Sequence, residues 1–74
     1  MPRLPNLNGW EVIRVLEKAG FKQVRQKGSH VFMRHPDGRT TLIPVHRGRD
    51  IDRGLLRKVI RDVDMTRDEF MDLS

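Results

Sequence analysis

The chain contains no cysteine. Disulfides and thiolate metal sites are therefore excluded, and the composition suits a reducing compartment. No apolar run approaches the length of a membrane span. The opening "MPRLPNLNGW" lacks the apolar stretch of a signal peptide, so a cytoplasmic protein is expected. Internal repeats and low-complexity segments are missing as well. With 74 residues there is room for one domain, spanning residues 1–74. So small a core requires every amphipathic element to contribute to it. Several chemistries lack their signatures. There is no HExxH, no Gly-rich phosphate loop, no nucleophile elbow and no Cys/His pair. The carboxylates have no paired-acid spacing, which argues against glycosidase chemistry.

What the chain has is positive charge. Fifteen Lys and Arg stand against ten Asp and Glu, a net charge of +5 with a pI near 10.8. Most of the cations are Arg, whose planar fork of donors suits phosphate. A polyanion, most simply nucleic acid, is the expected partner, ahead of a merely basic surface. The charge is divided. Residues 22–61 hold most of the cations. Residues 62–74 carry Asp62, Asp64, Asp68, Glu69 and Asp72 against Arg67 alone, so binding is expected away from the C-terminus.

Local signals give the element order. Pro2 and Pro5 keep the first residues extended. Asn8 with Glu11 makes a capping box that opens a helix, "GWEVIRVLEKAG". Val12, Val15, Leu16 and Ala19 share its apolar face, with Ile13 on the shoulder. Gly20 stops the helix and Phe21 enters the core. Trp10 falls at the border of that face. A packed boundary residue is favoured there over a base-stacking platform. Residues 22–26 read as a short charged edge strand, and residues 29–35 and 40–45 as better strands. Between the latter two, "HPDGR" places Asp37-Gly38 as a two-residue primed turn. That register pairs Phe32 with Ile43, Arg34 with Thr41 and His30 with Val45. Phe32, Ile43 and Val45 then share one face, and Val31, Met33 and Leu42 the other. Both faces are partly apolar, which leaves the buried face open and leaves room for a homo-oligomer or another partner on the uncovered side. Pro44 loosens the third strand.

After the loop "HRGRD", Asp50 or Asp52 caps a second helix, "IDRGLLRKVIRDV". Ile51, Leu55, Leu56, Val59, Ile60 and Val63 cover half its wheel. Arg53, Arg57 and Arg61 form a stripe on the other half. A solvated stripe, partly paired to Asp50 or Asp62, is favoured slightly over a phosphate grip. A docking surface for an acidic protein is the third reading. Thr66 with Glu69 opens a short last helix that buries Phe70. The order α-β-β-β-α-α, with helices on one face of a three-stranded antiparallel sheet, gives an α+β fold.

His30 is the leading residue for chemistry. Imidazole exchanges protons at cellular pH. Gly28 admits close backbone approach, Ser29 offers a hydroxyl, and Arg25, Lys27 and Arg34 attract phosphate. From these residues alone, a working His30 and a solvated strand residue stay level. His35, before Pro36, reads as a turn flank. If the third strand returns antiparallel to the second, His46 and Arg47 come back beside His30. His30 and His35 are five apart on one strand and point to opposite faces, so a histidine metal site is not expected.

Three stretches together resemble the HicA family of bacterial mRNA interferase toxins: "LNGWEVIRVLEKAGF", "RQKGSHVFMRHPDGR" and "TLIPVHRGRDIDRGLLRKVIRDVDMTRDEF". They cover nearly the whole chain. Gly28-Ser29-His30, Pro44-Val45-His46 and "GLLRKVIRD" are their most specific parts. The resemblance implies a double-stranded-RNA-binding-domain-like fold, RNA cleavage by an essential histidine, and neutralisation by a HicB-type antitoxin; because RNA carries its own 2′-OH nucleophile, no cofactor is expected. The motif histidine maps onto His30; from charge, chemistry and strand geometry, Arg25, Lys27, Gly28, Ser29, Arg34, His46 and Arg47 are the expected RNA-binding set. Many relatives carry a second histidine after the first; here that position is Val31. A non-catalytic RNA-binding module of the same fold is the alternative reading.

Overall fold

A computed structural model of the chain describes residues 4–74. The expectation for Pro2 lies outside the described residues. The elements are α1 (Gly9–Lys18), β1 (Lys22–Lys27), β2 (His30–Arg34), β3 (Thr40–Pro44), α2 (Arg53–Asp62) and α3 (Arg67–Leu73). The strands form one antiparallel sheet in the order β1-β2-β3, and the helices pack against it as expected.

The local signals act where the sequence places them. The Asn8 side chain accepts from the Glu11 N–H at 2.9 Å, and the Glu11 carboxylate accepts from the Asn8 N–H at 3.0 Å. Thr66 and Glu69 repeat the box at α3. Asp52, rather than Asp50, caps α2 by accepting from the Gly54 N–H at 3.0 Å. Asp50 instead bridges to Asn8, and the Ile51 N–H donates to the Leu7 carbonyl. The segment before α1 is thereby strapped to the loop before α2, and Leu4 is buried beneath it.

The hairpin between β2 and β3 departs from the expected register. The observed partners are His30–Pro44, Val31–Ile43, Phe32–Leu42, Met33–Thr41 and Arg34–Thr40. The loop holds three residues, Pro36, Asp37 and Gly38, closed by His35 N–H donating to the Arg39 carbonyl at 2.8 Å. A two-residue turn would need that bond from Pro36, which has no N–H, so His35 takes the place. Gly38 turns the chain at φ +101°. The one-residue slip reassigns the faces. Val31, Met33, Thr41 and Ile43 point inward and are buried. Phe32 and Leu42 lie on the outer face.

The core draws on every helix and the inner face of the sheet. It includes Val12, Ile13, Leu16, Phe21, Val31, Met33, Ile43, Leu56, Val59, Val63 and Phe70. The outer half of α2 is largely solvated, as expected, but among the described residues its arginines do not pair with Asp50 or Asp62. Lys58 occupies Asp62 at 3.1 Å. Arg53 bonds to the Asn6 side chain at 3.2 Å, and Arg57 and Arg61 are exposed.

Candidate functional site

β1 and β2 are joined by the two-residue turn Gly28-Ser29, with Lys27 paired to His30. Gly28 has φ +58°, while Ser29 stays at negative φ; glycine first is the pattern of a II′ turn. The Gln26 side chain donates to the Gly28 carbonyl at 3.1 Å and braces the turn from β1. On the other side, the Val45 N–H donates to the Ser29 carbonyl at 2.7 Å. This bond continues the β2–β3 ladder past Pro44, which cannot donate. It carries the chain back to the start of β2 just before His46.

The result is a histidine pair. The rings of His30 and His46 lie 6.4 Å apart between centroids at an interplanar angle of 81°. Both residues are exposed. The expected return of β3 beside β2 therefore places them together, although the register behind that expectation was one residue off. A slip of one residue moves a strand end by only about 3.3 Å, too little to separate two long side chains.

The other expected site residues divide into near and far. Lys27 faces His30 across the β1–β2 ladder. Arg25 lies one outward position further along, its guanidinium 5.2 Å from the Phe32 ring centroid. Arg47 follows His46 and is exposed. Arg34 is not brought to the pair. It stands at the opposite end of β2, about 13 Å from His30 at the usual strand rise, beside Lys22 and His35. His35 has a structural task at that end. Its Nδ1 accepts from the Asp37 N–H at 3.1 Å, and its ring meets Phe21 edge-on at 5.1 Å.

Beside the histidine pair opens a cleft of about 570 Å³. Asn8 and Trp10 form one wall, Gln26, Gly28 and Ser29 another, and residues 45–48 the third, which includes His46 and Arg47. His30 does not line it, whereas its partner His46 and its chain neighbour Ser29 do. Sequence reasoning missed Trp10 and Gln26 here. Trp10 is 47% exposed, not packed at a boundary. Gly9 accounts for this. A Cβ at Gly9 would sit 2.1 Å from the Pro44 carbonyl oxygen, so the first turn of α1 rests directly on the end of β3. The next residue, Trp10, lines the cleft beside that contact.

Among the described residues, no three His, Cys, Asp or Glu side chains gather as a metal-holding group. No helix among them is long and apolar enough to cross a membrane. Residues 9–65 match the family model described as the HicA toxin of bacterial toxin–antitoxin. The chain belongs to the HicA toxin family. The match runs from the first residue of α1 through the sheet and α2, and stops before α3. It makes the protein a toxin of a toxin–antitoxin system, in a family whose members are generally ribonuclease toxins. A comparison with curated proteins gives no match.

Proposed function

We propose that this HicA-family protein is a metal-independent endoribonuclease, an mRNA interferase of the cytoplasm, with His30 as its general acid or base and a HicB-type antitoxin as its inhibitor. The observation that carries the reading is the exposed His30–His46 pair, 6.4 Å between ring centroids, at a sheet end supplied with Lys27 and Arg47. RNA carries its own nucleophile, the 2′-OH. One imidazole takes the 2′-OH proton as O2′ attacks the adjacent phosphorus. The P–O5′ bond breaks, and the second imidazole gives its proton to the departing 5′ oxygen. The products are a 2′,3′-cyclic phosphate and a free 5′-OH. Lys27 and Arg25 hold the phosphate and offset the charge that builds on it, and the Ser29 hydroxyl donates to it.

The spacing suits this division of labour. One histidine serves two proton transfers with difficulty, whereas two rings flanking one phosphate serve them separately. The scheme requires no metal, because the nucleophile comes from the substrate and the cations from the protein. Product chemistry tests it. A substrate with a single 2′-deoxy residue at the cut position should resist cleavage, and the all-RNA substrate should yield cyclic-phosphate ends. Cleavage of the 2′-deoxy position would overturn the mechanism.

A further inference from the structure

The cleavage scheme leaves the cleft beside His46 without a task. Its most conspicuous wall is Trp10, the only tryptophan in a chain without tyrosine. Large aromatic rings contribute most when buried, yet this one leaves about half its surface in water, 47%, on the wall of a cavity. The backbone that carries the ring is fixed in place. The Gly9 contact with Pro44 seats α1 on β3, and the Asn8–Glu11 capping box fixes the turn that carries Trp10.

The chemistry of the other walls is selective. Arg47 brings a guanidinium and His46 an imidazole, and among the described residues no carboxylate lines the cleft. Asn8 uses its side-chain oxygen in the cap, which leaves its amide donors for a ligand. Gln26 uses its amide to brace the turn, which leaves its oxygen as an acceptor. A flat stacking surface, one donor group, one acceptor and a guanidinium describe a site for a planar heterocycle joined to phosphate. The volume of about 570 Å³ lies inside the roughly 300–1,000 Å³ of small-ligand sites.

We infer that this cleft is a nucleotide subsite, in which Trp10 stacks on one base of single-stranded RNA next to the phosphate held at the His30–His46 pair. Arg47 grips a neighbouring phosphate, and Asn8 and Gln26 meet the base edge. The inference rests on the proposed RNA substrate and extends it from the cut phosphate to an adjoining base. Trp10 is then a positioning residue. Stacking holds the ground state and the transition state alike, so its loss appears in KM rather than kcat.

Trp10 is also the sole fluorescent reporter of the cleft. The test titrates the wild-type chain with a short 2′-O-methyl oligonucleotide, which lacks the free nucleophile and stays uncut. Saturable quenching of Trp10 is expected, with none from ribose 5-phosphate at equal concentration. Trp10→Ala should weaken binding of the labelled oligonucleotide by about 5- to 150-fold, the range of one base–aromatic stack. Trp10→Phe should restore most of it. In cleavage assays Trp10→Ala should raise KM and leave kcat within about twofold. Equal quenching by ribose 5-phosphate, or unchanged affinity in Trp10→Ala, would overturn the inference. Cleavage by a wild-type protein whose Trp10 stays unquenched overturns the subsite and leaves the nuclease standing. Base-dependent quenching in a protein that cuts nothing supports the subsite and removes the nuclease.

Discussion

His30 opens β2 and His46 lies in the loop just past β3, sixteen positions on in the chain, and they meet because β3 returns to the start of β2. Their roles are separable. In the proposed scheme each ring handles one proton, and a general acid or base contributes about 10²- to 10⁴-fold. His46→Ala should therefore slow single-turnover cleavage by at least about 100-fold while RNA affinity changes little. An unchanged rate would show that water supplies the second proton. At this scale the sequence was legible in the approach of His46 to His30, which follows from the return of the third strand. It was not legible where exposure depends on a distant contact. A helical wheel puts Trp10 at the edge of the apolar face, and nothing local reveals that Gly9 lets α1 rest on Pro44 with the indole beside it left exposed.

The elements were read well at their ends and less well in their pairing. Both capping boxes and the Gly20 stop, at φ +100°, lie where the residues place them, because each is a local bond between near neighbours. The β2–β3 register was missed by one residue because Asp37-Gly38 looks like a complete turn until Pro36 is denied its N–H. Two of these local devices carry an acid signature. The Arg39 N–H, and then its guanidinium, hold Asp37 below its ordinary value of 3.8. The Thr66 N–H and hydroxyl hold Glu69 below 4.5. Both carboxylates are depressed in the folded state, so the unfolded chain binds more protons in acid. Their stabilisation is complete above those ordinary values and is lost as pH falls through the lower folded ones. Melting temperature should decline below about pH 4.5, and Asp37→Asn should flatten part of that limb. At neutral pH, Thr66→Ala should cost about 1 kcal/mol, about 4–8 °C in Tm, with cleavage unchanged because α3 lies outside the site. A loss of activity in step with the cap would contradict this separation.

At the scale of the molecule, charge and architecture are arranged together. Most of the cations lie on the sheet, the loop after it and α2, and half of the acidic residues gather from Asp62, the last residue of α2, to the C-terminal end of α3. The outer face of the sheet carries Lys22, Arg25, Lys27 and Arg34 around Phe32 and Leu42, with the helices on the opposite side. RNA affinity should therefore fall steeply with salt, by roughly 0.7 in log–log slope per phosphate neutralised on a single strand. Lys27→Ala should lower the slope by about that amount. Arg67→Ala, on the acidic last helix, should leave it unchanged. Equal effects from both would mean that net charge, not the placed cation, governs binding.

The proposal depends most on His30. RNA cleavage by the purified chain in EDTA, wild type beside His30→Ala, with RNA affinity measured for both, tests it directly. The wild type should cut the RNA, and His30→Ala should bind it within about threefold yet cut at least about 100-fold more slowly. Equal cleavage by the two proteins, or RNA bound by the wild type and left intact, would contradict the account.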